Sequence, residues 1–225
     1  MRNPRRDGTA ARTTTMAVVA LLAFAGCASG EAGRPAAQIL ADAQAAARAA
    51  DSVHISGTVA HGTTAGGPAG TATIDLLLTS SGDGREQITG AGQNIDLIKV
   101  GSVLYVKGLT SGGAPGAYQR LGLSDPRAAP LAAQLDKKSV FDQLIKTGDA
   151  ASVTGSDTVG GQAAVKITPA GGVGTLYVAD DAAHPYPLKV ETAAAGTGQA
   201  GVAGALLFTD WNAHTVIAPP AGAGS

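Results

Sequence analysis

Of 225 residues, one is a cysteine, one a tryptophan and two are methionines, and only eight are aromatic. A single thiol excludes an intrachain disulfide and any cysteine-rich zinc centre. Charge is scarce as well, at 15% of residues, with 16 Lys+Arg against 17 Asp+Glu. A chain this close to neutral lacks the basic face that neutralises phosphates, so no nucleic acid is expected as a partner. No run reaches 18 consecutive apolar residues, which excludes a polytopic membrane protein of helical spans.

Catalytic constellations are missing too. His54, His61, His184 and His214 are scattered, without His-Glu-x-x-His or a pair at helical spacing, and no serine lies in Gly-x-Ser-x-Gly. Gly196-x-Gly198-x-x-Gly201 spells a dinucleotide fingerprint, but it sits between two predicted antiparallel strands rather than between a strand and a helix, and reads as a loop. Asp180-Asp181, followed by Ala182-Ala183-His184-Pro185, reads as an exposed turn rather than a metal-binding carboxylate pair. The expectation is a protein without enzymatic activity, cofactor or metal.

What the chain does have is alanine and glycine, 46 and 32 residues, and a distinctive N-terminus. Arg2, Arg5, Arg6 and Arg12 precede an unbroken apolar and small-residue run from Met16 to Gly26, the layout of an export signal. Eleven residues make about 16 Å of helix, roughly half of a bilayer's hydrocarbon thickness, so the run does not span. It ends in Leu22-Ala23-Phe24-Ala25-Gly26-Cys27, which resembles a bacterial lipobox. That resemblance implies a diacylglyceryl group on the Cys27 sulfur and cleavage that leaves Cys27 first; the alternative is a plain signal peptide with an incidental cysteine. Removing residues 1–26 leaves 12 basic and 16 acidic residues. Charge then gives no attraction to anionic headgroups, and membrane attachment rests on the acyl group. Residues 27–35 read as a short flexible lipidated tether, 36–218 as one domain and 219–225 as a disordered Pro/Gly/Ala tail.

Within the domain, Pro35 opens a helix to about Ala50 whose Ile39, Leu40, Ala43, Ala46, Ala47 and Ala50 share one face of short side chains. After Asp51 the period drops toward two. Strands are predicted around Val53–Val59, Ala72–Thr79, Arg85–Thr89, Asn94–Val100 and Val103–Lys107, with short turns that make an antiparallel meander. Ser124-Asp125-Pro126 is a capping signature for a helix over Arg127 to Leu135, and a second helix runs from Asp136 to Lys146. Strands resume at Ser152–Thr154, Ala164–Ile167, Thr175–Ala179, Leu188–Thr192 and Leu206–Trp211. Trp211 and Tyr105 read as sheet-edge anchors, and Lys137-Lys138 as a solvated helix face.

Several short segments carry a family likeness through their order and spacing. They are Val103-Leu104-Tyr105-Val106-Lys107, Leu123-Ser124-Asp125-Pro126-Arg127, Gly160-Gly161-Gln162-Ala163-Ala164-Val165, Gly174 to Asp180, Pro185-Tyr186-Pro187-Leu188-Lys189-Val190 and Phe208-Thr209-Asp210-Trp211-Asn212. With the lipobox before them, the chain resembles the actinobacterial lipoproteins of the LppX/LprG type. The resemblance implies an α+β, LolA/LolB-like fold: a strongly curved antiparallel sheet, a half-open barrel packed around a few helices. It also implies a hydrophobic cavity between sheet and helices that takes acyl chains of envelope lipids or glycolipids.

Alternation supplies the candidates for that cavity: Ile74, Leu76, Leu78, Leu104 and Val106 in the first half, and Val165, Ile167, Leu176, Val178, Leu188, Val190, Leu206 and Phe208 in the second. The same pattern suits ordinary core residues in mutual contact. Two functional readings follow for a protein lipid-anchored on the extracytoplasmic face of the cell membrane. One is lipid carriage or transfer. The other is an interaction module with a packed core that docks on an envelope transporter or another envelope protein.

Overall fold

The computed structural model describes residues 30–61, 70–90, 92–109, 116–145, 150–169, 174–192 and 202–221. The export signal and Cys27 lie outside these residues, as do Gly196, Gly198 and Gly201. A short 3-10 turn, Glu31–Gly33, leads into α1 (Ala36–Ala49). Six strands follow: β1 (Ser52–His61), β2 (Gly70–Thr79), β3 (Gly84–Gly90), β4 (Gln93–Val100), β5 (Val103–Lys107) and β6 (Gln119–Gly122). Helices α2 (Ala128–Gln134) and α3 (Lys137–Leu144) separate them from β7 (Ala151–Val159), β8 (Gln162–Pro169), β9 (Gly174–Ala179), β10 (Pro187–Thr192) and β11 (Val202–Thr209).

All eleven strands form one antiparallel sheet in the order β6-β5-β4-β3-β2-β1-β11-β10-β9-β8-β7. Two meanders are thus joined where the last strand returns to the first, with Ile55 paired to Phe208 and Gly57 to Leu206. β6 and β7 stay as free edges, and the 28 residues between them carry α2 and α3 from one edge to the other. The curved, unclosed sheet with helices in its hollow is the α+β half-open barrel expected from the sequence. At the β1–β11 seam the backbones approach closely: a Cβ on Gly57 would run into the Ala205 carbonyl oxygen.

One apolar cluster fills the hollow. Ile39, Leu40, Ala43 and Ala47 of α1 meet Val53, Leu78, Leu97, Leu104, Val165, Ile167 and Val178 of the sheet and Phe141 of α3. The helices are tied to each other by polar contacts: the Arg48 guanidinium pairs with Asp142, which also accepts from Lys138 Nζ at 2.7 Å, and Gln44 Nε2 donates to the Ile145 carbonyl at 3.1 Å. Asp136 caps α3 by accepting from the Ser139 N–H at 2.7 Å. Asp125 accepts from the Arg127 N–H at 2.9 Å, closing the turn ahead of α2 rather than capping the helix itself.

Two readings change. The segment read as a flexible tether is docked from Gly30 onward: Glu31 is fully buried and receives two hydrogen bonds from Arg34 at 2.7 and 2.8 Å, Arg34 also pairs with Asp42, and the Ala32 N–H donates to Asp180 Oδ1 at 3.1 Å. Lys137 is not solvated either. It is 5% exposed, and its ammonium donates to the carbonyls of Arg48, at 3.1 Å, and Ala50. It thereby satisfies the open carbonyls at the C-terminal end of α1. Lys138 keeps the solvated position.

Candidate functional site

Between the concave face and the helices lies a gap of about 310 Å³. β1, β2 and β11 form its floor with Ile55, Ile74, Leu76, Leu206 and Phe208; α3 forms its roof with Val140 and Leu144; exposed Gln134 and Gln143 stand at its rim. The volume falls at the small end of the range for ligand pockets, about 300–1,000 Å³, which suits a single chain. A second hollow, about 580 Å³, lies on the outer face, where Leu77, Arg85, Ile98 and Tyr118 meet residues Val216–Ala221.

The floor is set by register. Ile74, Leu76 and Leu78 alternate inward along β2 and meet Gly57, Ile55 and Val53 of β1, while Phe208 pairs with Ile55 from the other side. The roof is set by one aromatic anchor. Phe141 is fully buried, its ring 5.8 Å from Phe208 and 5.6 Å from Trp211, centroid to centroid. Trp211 in turn stacks on Tyr186 at 4.6 Å and donates from Nε1 to the Pro187 carbonyl at 3.2 Å, fastening the end of β11 to the start of β10.

Among the described residues one ionisable group reaches this gap. Glu86 of β3 stands opposite Leu76 of β2 and Leu97 of β4, is 7% exposed, and lines the apolar gap. Its Oε2 has no hydrogen-bond partner, and burial pushes the carboxyl up to about 6. The buried carboxylate of Asp96 differs. Its Oδ2 accepts from Tyr118 Oη at 2.5 Å, Arg85 Nη2 at 3.0 Å and Gln87 Nε2 at 3.3 Å; burial opposes its ionisation, but these hydrogen bonds prevail and hold it below the usual range.

Four of the thirteen sequence candidates line the gap: Ile74, Leu76, Leu206 and Phe208. Leu78, Leu104, Val106, Val165, Ile167, Leu176 and Val178 belong to the packed cluster, and Val190 lies against it. Leu188 is a correction. It packs outside the hollow with Ala164, Tyr177 and Ala179, because β10 bulges between Pro187 and Lys189 and the inserted residue loses the phase of the alternation. Ile55, Glu86, Val140 and Leu144 were not anticipated as lining. For Glu86 the signal was present, since it shares strand parity with apolar Ile88.

His54 and the Asp180-Asp181 turn lie away from the gap. His54 sits between the carboxylates of Asp75, at 3.3 Å, and Asp210, at 3.5 Å. Asp181 closes its own turn by accepting from the Ala183 N–H at 2.9 Å. Among the described residues no group of three or more His, Cys, Asp or Glu is placed to hold a metal ion, and no helix is long and apolar enough to cross a membrane.

The curved half-barrel is a fold found in solved structures. The chain superposes on LprF from Mycobacterium bovis with a TM-score of 0.56 at 18% identity, covering 83% of this chain and 97% of that one. It superposes on the Mycobacterium tuberculosis lipoprotein LppX with a TM-score of 0.52 at 13% identity, covering 81% and 98%. This chain therefore has the fold of LprF and LppX. No protein-family model matches the sequence, and no curated protein matches it.

Proposed function

We propose that this protein is an exported envelope lipoprotein that holds an apolar chain of a lipid or glycolipid in the gap beneath α3, for carriage or transfer, without catalysis. The gap supports the reading: floor and roof are apolar, and among the described residues the only polar groups on its wall are Glu86 and the two rim glutamines. Transfer of hydrocarbon from water contributes about 0.8 kcal/mol per methylene, so even ten methylenes gain on the order of 8 kcal/mol before ordering costs. Few polar contacts are then needed, and Gln134 and Gln143 are placed to meet a headgroup at the mouth. The likeness to LprF and LppX, the latter a lipoprotein by name, agrees with this reading. Acylation of Cys27 would hold the protein on the extracytoplasmic face, durably only if more than one chain is attached.

Native mass spectrometry of gently purified protein tests the ligand. Co-purifying lipid is expected from the wild type and its loss from Leu206→Trp, which fills the gap; a clean apo mass in every wild-type preparation overturns the proposal. Cys27→Ser is expected to leave the membrane fraction, and retention there overturns the anchor. The second reading, a module docking on an envelope transporter or other envelope protein, is favoured by the twelve candidate positions, the four gap-lining ones included, that belong to or lie against the packed core.

A further inference from the structure

We propose that the ligand in this gap carries a hydrogen-bond donor, a hydroxyl or an amine, at the part that reaches Glu86. The inference rests on the reading that the gap holds an apolar chain, and it narrows the chemistry of that chain.

A carboxyl among apolar walls is costly unless something pairs with it. Elsewhere in this protein buried charge finds partners within the chain. Glu31 is held by Arg34, and Lys137 by two carbonyls. Even Asp96, whose Oδ1 is unpaired, receives three donors on its other oxygen. Glu86 receives none among the described residues. Of the side chains that share its gap, Ile55, Leu76, Val140, Leu144 and Phe208 cannot donate, and Gln134 and Gln143 make no hydrogen bond to it.

The missing donor is therefore expected from the occupant. An O–H or N–H group satisfies Oε2, and an ammonium adds an ion pair. A carboxylate or phosphate at the same place would set two anions side by side. Anionic headgroups are thus turned away from Glu86 and can be met only at the rim.

The test uses the purified protein and the uncharged fluorophore N-phenylnaphthylamine as the bound probe, displaced near neutral pH by dodecanol, dodecylamine or dodecanoate, which share one chain length. Dodecanol and dodecylamine are expected to displace it at concentrations about tenfold lower than dodecanoate, the ratio a single charge-assisted hydrogen bond supplies. In Glu86→Gln, which keeps the shape and removes the charge, dodecanoate is expected to come within about threefold of dodecanol, while dodecylamine weakens. Equal displacement by all three in the wild type overturns the donor inference and leaves the apolar gap as a binding site. An unchanged ranking in Glu86→Gln overturns Glu86 as the selector. Failure of the probe and all three chains to bind overturns the reading of the gap itself, and the inference with it.

Discussion

Phe141 of α3 rests on Phe208 of β11, the two ring centroids 5.8 Å apart, and this contact ties the roof of the gap to its floor. Because Phe141 is fully buried and also meets Trp211, truncation leaves a cavity and frees α3. Phe141→Ala is expected to cost about 3–5 kcal/mol in urea denaturation. Phe141→Leu, which keeps most of the volume, should cost clearly less. Equal losses for the two would mean that the ring does not hold the roof.

Glu86 makes stability depend on pH in a direction opposite to that of a salt-bridged carboxylate. Its ordinary value is 4.5 and burial raises it to about 6, so the folded state binds the proton more tightly than the unfolded state does. Below about 4.5 both states are protonated and the carboxyl imposes no penalty. As pH rises through about 6 the folded protein loses up to about 2 kcal/mol. Denaturation of wild type and Glu86→Gln across this range should show the variant more stable above pH ~6 and the two converging below ~4.5. A difference independent of pH would contradict the assignment.

Lys137 and Lys138 are neighbours with opposite roles. Lys137→Met leaves the carbonyls of Arg48 and Ala50 without their donor and is expected to cost about 1.5–3 kcal/mol. Lys138→Met loses a surface pair to Asp142 and should change stability by less than about 1 kcal/mol. Thermal unfolding of the two variants side by side checks the contrast.

Gly57 marks the seam at which the two meanders join. Gly57→Ala is expected to push β1 from β11 at the Ala205 carbonyl and to cost about 1–3 kcal/mol. Amide hydrogen exchange should then show lost protection at the Thr58–Ala205 and Gly57–Leu206 pairs before the outer strands.

The elements with strong periodicity were legible. α1, β2 and β5 fall where the spacing of Ile39–Ala47, Ile74–Leu78 and Val103–Lys107 puts them. β6 was missed because Gln119-Arg120-Leu121-Gly122 has one apolar residue, too few to show a period. β7 was read only at Ser152–Thr154, since its nine residues are almost all exposed, as suits a free edge, and carry no inward row. The site was legible in part for a different reason. Alternation tells which side chains point inward, but whether the space opposite is filled depends on where α1 and α3 settle. Leu78 and Leu76 look alike in sequence and both join the core cluster, but of the two only Leu76 also lines the gap. The docking of Lys137 beneath the end of α1 likewise depends on residues about ninety positions apart.

The grip of Asp180 on Ala32 has a consequence for how the molecule would sit in the envelope. Only Ala28 and Ser29 separate Cys27 from Gly30, a reach of about 11 Å when fully extended. Acyl chains on Cys27 would give the domain almost no leash: the β9–β10 bend would ride beside the headgroups, with one side always turned toward them. Encounters with a membrane-bound partner would then become a search in two dimensions with the facing preset, and lengthening those two residues would abolish that presentation without touching the domain.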